Sequence, residues 1–174
     1  VISVTSSDTD KCTVSAANLT FTSGNWNSAQ TVTITGVQDD TIDANRSVTI
    51  TIAVVDASSD NNFDSLEDQT VTTTVSDHLT AGFTLSKTTA AVTDSGSDTD
   101  TFTVVLDAKP DSDVVISVTS GDTGEVTVSA ESLTFTNGNW NTAQTVTLTG
   151  VDDNLIDVDT QTTVTMAVVD NDSD

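Results

Sequence analysis

Two short acidic runs are the residues best equipped for chemistry: "DDTID" at 39–43 and "DDNLID" at 152–157. Each follows a Thr-Gly-Val triplet that ends an alternating, strand-like stretch. Carboxylates are hard oxygen donors, and Ca2+ takes six to eight such oxygens from carboxylates, carbonyls and water. Two carboxylates about 4 Å apart repel by roughly 4 kcal/mol at an effective dielectric near 20, so a dry cluster needs a cation or protons. A solvated turn accounts for the same residues, because Asp in turns caps its own backbone. The chemistry of these residues alone leaves both readings open. A further acidic loop, "SSDNNFDSLED" at 58–68, reads as an Asx-rich turn held down by Phe63 and Leu66.

The remaining reactive types point away from catalysis. Cys12 is the only cysteine and has Val126 as its counterpart in a second copy described below, so it reads as a small packing group. His78, the only histidine, reads as a linker residue. No His or Lys sits in a motif that would activate a nucleophile. Paired carboxylates that cleave glycosides work in aromatic-lined clefts, and the chain has two tryptophans, five phenylalanines and no tyrosine. The sequence therefore predicts no enzyme. Trp26 and Trp140 each sit in a "GNWN" loop and could stack on a sugar, which makes cell-surface glycans a candidate partner class. Without a second aromatic platform, an indole folded over the end of a core is the favoured reading.

The elements that must position these groups are strands. The chain of 174 residues contains 36 threonines and one proline, and its apolar residues alternate with threonine or serine. That pattern favours pleated sheet over helix. Net charge is −23, which repels nucleic acid and anionic membranes and makes both poor partners. No apolar run is long enough for a membrane-spanning helix, so membrane insertion is not expected.

The chain repeats itself. Residues 1–56 align with 115–170 without a gap at an offset of 114, with 37 identities in 56 positions. Two modules follow: 1–77 is the back part of one, with its opening strands missing, and 78–174 is most of the next, with its closing strand missing. In the second module the alternation predicts strands near 82–86, 101–106, 114–119, 126–129, 133–136, 144–149 and 162–169. Phe102, Val104 and Leu106 should share one face. About seven short strands with turns between them indicate a Greek-key, immunoglobulin-like β-sandwich. The chain reads as a window of a longer array, whose neighbouring modules or other copies, head to tail, would supply the missing strands.

The run "LTFT..NWN.AQTVT.TGV.DD" at 19–40, with its second copy at 133–154 ending "TGVDDN", resembles the Calx-beta-type repeat of large bacterial extracellular adhesins. "TFTVVLDAKPDSDVVISV" at 101–118 is similar to the second and third strands of that repeat, and 59–77 to its closing segment. The resemblance implies calcium-stiffened β-sandwich beads in extracellular stalks on the cell surface. It further implies calcium ligands at Asp94, at Asp8 and Asp122, at Asp39, Asp40 and Asp43, at Asp152, Asp153, Asp157 and Asp159, and at the linker residue Asp77. The sequence departs from the family pattern at Asp94, where glutamate is usual, and at Asn45, which stands where the second copy has Asp159.

Overall fold

The computed structural model describes residues 1–153 and 158–169, and its regular secondary structure is almost wholly antiparallel strand. Among the described residues its one helical element is a single 3-10 turn, Asp56–Ser58. The chain divides into two units. The first holds Val1–Asp39 and Asp43–His78; the second holds Asp40–Ile42 and Leu79–Asp174.

In the first unit, β1 (Ile2–Ser6), β2 (Cys12–Val14), β3 (Asn18–Leu19), β4 (Ile34–Gly36), β5 (Arg46–Val54) and β6 (Gln69–Val75) follow in chain order. One sheet has the order β3-β1-β5-β6, and β2 pairs with β4 in a second, two-stranded ribbon. The core is small: Val4, Cys12, Val48 and Ile50 are buried, with Val14, Leu19, Val32, Ile52 and Val75 packed partly against them. Cys12 is thus a buried apolar group, as its valine counterpart suggests.

The second unit contains β7 (Phe83–Leu85), β8 (Thr99–Leu106), β9 (Val114–Ser120), β10 (Val126–Val128), β11 (Ser132–Phe135), β12 (Gln144–Gly150) and β13 (Val164–Val168). They form two sheets, of order β10-β12-β8-β7 and β11-β9-β13. Alternation decides which residues turn inward. Phe102, Val104 and Leu106 on β8 and Val146 and Leu148 on β12 are buried, and so are Ile116 and Val118 on β9 and Leu133 and Phe135 on β11. Side chains of both sheets therefore share one core. Full burial of one such side chain stabilises by about 1.5–3 kcal/mol. The threonines between them face outward, where a β-branched hydroxyl suits a solvated pleat.

Strand registers in the two units coincide when numbers are shifted by 114. Ile2 pairs with Leu19 and with Val54, while Ile116 pairs with Leu133 and with Val168. Cys12 pairs with Gly36, and Val126 with Gly150. The units differ at β4. Its counterpart β12 pairs with β8 along Gln144–Thr149, whereas β4 has no strand on that edge among the described residues. The corresponding stretch 30–33 is accordingly not in strand.

The loop at 58–68 is not pinned in the manner its sequence suggests. Phe63 and Leu66 are 54% and 56% exposed, and the loop is shaped by local bonds instead. Phe63 N donates to the Asp60 carbonyl at 2.8 Å, and Asn62 N donates to Asp60 Oδ1 at 3.0 Å.

Candidate functional site

The acidic residues of the first unit gather around a lysine. Cys12 N donates to the Asp8 carbonyl at 3.0 Å, and Val37 N donates to the Lys11 carbonyl at 2.9 Å. These bonds hold the turn before β2 against the segment that leaves β4. Lys11 Nζ lies 2.6 Å from Asp39 Oδ2 and also donates to Asp43 Oδ2. Asp43 N donates to Asp77 Oδ2 at 2.6 Å, which ties the end of this unit into the same cluster. Arg46 Nη1 stands 3.9 Å from Asp8 Oδ2, and His78 Nδ1 stands 3.6 Å from Asp77 Oδ1. The hydrogen bonds to Asp39 and Asp43 push the Lys11 ammonium well above the usual lysine pKa. A fixed monovalent cation thus sits among Asp39 and Asp43.

Asp40 lies elsewhere. It counts with the second unit, where its carbonyl accepts from Lys109 N at 2.8 Å.

The second unit has the same backbone frame and different charges. Val126 N donates to the Asp122 carbonyl at 3.0 Å, and Val151 N to the Glu125 carbonyl at 2.9 Å. Glu125 stands at the position of Lys11, and Thr160 at that of Arg46. Both cations of the first cluster are therefore replaced, one by an acid. Asp94 Oδ1 accepts from Asp153 N at 3.2 Å, which brings the loop between β7 and β8 to the segment after β12. The left-handed Gly96 (φ 65°) permits this approach: a Cβ there would stand 3.2 Å from Asp152 Cβ. Asp122 Oδ1 caps Gly124 N at 2.9 Å as an Asx turn. Asp152, Asp153 and Asp159 are exposed, and Asp157 lies outside the described residues.

The sequence-derived ligand set is thus divided. Asp39, Asp43 and Asp77 are joined in one unit; Asp94 and Asp153 are joined in the other. Among the described residues no three His, Cys, Asp or Glu side chains form a group that could hold a metal ion. In the second unit Asp94, Asp122, Glu125 and Asp153 carry carboxylates, and Glu125 and Thr160 stand where the first unit has Lys11 and Arg46. In the first unit the Lys11 ammonium pairs with Asp39 and Asp43. Sequence reasoning missed Lys11, Arg46 and Glu125. The signal was present in the repeat, where the position of a lysine in one copy holds a glutamate in the other.

The two tryptophan loops are built alike. Asn25 Oδ1 accepts from Thr22 N, and Asn139 Oδ1 from Thr136 N. Gln30 Nε2 donates to the Thr20 carbonyl at 2.9 Å, and Gln144 Nε2 to the Thr134 carbonyl at 2.8 Å. Their indoles differ. Trp140 packs against the core of its unit, and its carbonyl accepts from Leu106 N on β8 at 3.2 Å. Trp26 is 72% exposed.

Among the described residues no helix is long and apolar enough to cross a membrane. In comparison with known proteins, the chain matches no protein-family model and no curated protein.

Proposed function

We propose that the chain is a stretch of tandem spacer modules from an extracellular, adhesin-like bacterial surface protein. Each module is a Greek-key, immunoglobulin-like β-sandwich of about seven strands, repeating every 114 residues. The observation that carries this reading is the recurrence of backbone pairing at that offset, Ile2 with Leu19 and Val54 against Ile116 with Leu133 and Val168. The function is mechanical: a row of such beads holds a distal domain away from the cell. The resemblance to Calx-beta repeats supports the same assignment.

Calcium belongs to the proposal as the cation that the second module needs. Asp94, Asp122, Glu125 and Asp153 would hold it there; Asp152 and Asp159 are further acidic residues of the same module. When bound, the ion supplies charge neutralisation that ties end loops together. In the first module Lys11 performs that neutralisation from within the chain. The partners are neighbouring modules of the same chain or other copies, head to tail. The experiment is to compare thermal midpoint and small-angle scattering in chelator and in millimolar Ca2+. A higher midpoint and a more extended particle with Ca2+ are expected; identical values in both would overturn the calcium assignment.

A further inference from the structure

Among the described residues the β2–β4 ribbon of the first unit has an unpaired edge and partly exposed apolar residues, and the second unit identifies what pairs with such an edge. Residues 19–36 and 133–150 are nearly the same sequence, yet the burial of their large apolar residues differs. Phe135 and Val146 are fully buried, whereas Phe21 and Val32 are half-buried. Leu148 is 7% exposed and its counterpart Ile34 37%. Trp140 packs on its core and Trp26 does not. In the second unit the cover is the β7–β8 hairpin: Val146 faces Phe102, Gln144 faces Val104, and Leu106 N reaches the Trp140 carbonyl.

Glycine gives an independent sign of the same occupant. A Cβ on Gly150 would lie 2.0 Å from the Thr93 carbonyl oxygen, because the connection between β7 and β8 crosses directly over it. Gly36 holds the equivalent place, and a Cβ there would meet nothing within 4 Å. The first unit thus keeps both the apolar face and the clearance for a crossing segment.

We propose that the β2–β4 face of the first unit, with the Trp26 loop, is the acceptor for a β7–β8-type hairpin of this repeat. The chain's own hairpin is already paired with β12, so it does not serve both faces. Transferred by 114 residues, the register sets Val32 opposite the residue equivalent to Phe102 and Gln30 opposite that equivalent to Val104. The hairpin extends β4 back to Gln30, buries Val32 and Ile34, and presses Trp26 onto the core. Unpaired strand edges of this kind are templates for an added strand. The inference rests on the tandem-module part of the proposed function and on none of its calcium.

The test is a chain in which residues 79–114 are duplicated directly ahead of Val1, studied in chelator so that it is independent of the calcium assignment. Three results are expected: Trp emission shifts to the blue, amide exchange at residues 30–35 slows by about tenfold or more, and the first unit's thermal midpoint rises. Gly36→Ala supplies the control. It should leave the parent chain unchanged and lower the midpoint of the extended one, where its Cβ meets the crossing segment. Unchanged emission and exchange at 30–35 would overturn the proposal, as would a Gly36→Ala change tolerated equally in both chains.

Discussion

Lys11 Nζ and Asp39 Oδ2 lie 2.6 Å apart in the first unit, and the residue 114 positions after Lys11 is Glu125. One frame therefore carries an internal ion pair in one copy and added negative charge in the other. Lys11→Gln should lower the first unit's thermal midpoint by a few degrees, roughly 2–4 °C, because Asp39 and Asp43 then repel without a cation between them. The loss should shrink in high salt, which screens such repulsion. Calorimetry of wild type and variant at two ionic strengths checks both points; equal midpoints would show the pair to be incidental.

The two copies of one phenylalanine should differ in worth. Phe135 is fully buried among residues of both sheets, so Phe135→Ala should cost about 3–5 kcal/mol. Phe21 is only half-buried, so Phe21→Ala should cost distinctly less. Denaturant melts of each variant give the comparison. Equal losses would mean that the first unit's face is closed in solution.

Gly150→Ala should be destabilising by about 1–3 kcal/mol, since the new methyl meets backbone at Thr93 that does not yield as a flexible side chain would. The measurement is the second unit's midpoint. No change there would contradict the crossing of the β7–β8 connection over β12.

Asp100 makes the acid limb of stability predictable. The Lys87 ammonium, followed by the amides of Ala91 and Thr101, holds its carboxyl below the usual carboxylate range. A lowered folded-state pKa means that the unfolded chain binds this proton more readily. The contribution is therefore complete above the ordinary carboxylate pKa of about 4 and is lost as pH falls through the folded value. Asp100→Asn should lower the midpoint at neutral pH and flatten its decline below about pH 4. Parallel acid profiles for the two proteins would contradict this.

Much of the strand framework was legible because its signal is local. Phe102, Val104 and Leu106 alternate with threonine and valine, and the pleat turns all three into the core. The fate of residues 30–34 was not legible, because it depends on a distant strand. The same Gln-Thr-Val-Thr sequence is paired at 144–147, with Val146 fully buried, yet lies outside any strand at 30–33. What differs is the presence of β8 on that edge. Trp26 follows the same logic: its loop is formed by its own Asn25 and Gln30, but burial of the indole requires the hairpin. Apolar character alone likewise misjudged Phe63 and Leu66, which are about half exposed on a loop shaped by Asp60.

At the candidate site the acidic positions were readable as a pattern, and their neutralisation was not. Asp39 and Asp43 stand close enough in sequence to suggest a shared ion. Their actual partner, Lys11, comes from a turn 28 residues before Asp39 and meets them only through the pairing of β2 with β4.

The most direct measurement is a charge exchange between the two modules, read as thermal midpoints in chelator and in millimolar Ca2+. Wild type should show a calcium-dependent rise confined to the second unit. Glu125→Lys should remove that rise by supplying the cation internally, and Lys11→Glu should give the first unit a calcium response of its own. Midpoints that ignore calcium in wild type, or a response that survives Glu125→Lys intact, would contradict the account.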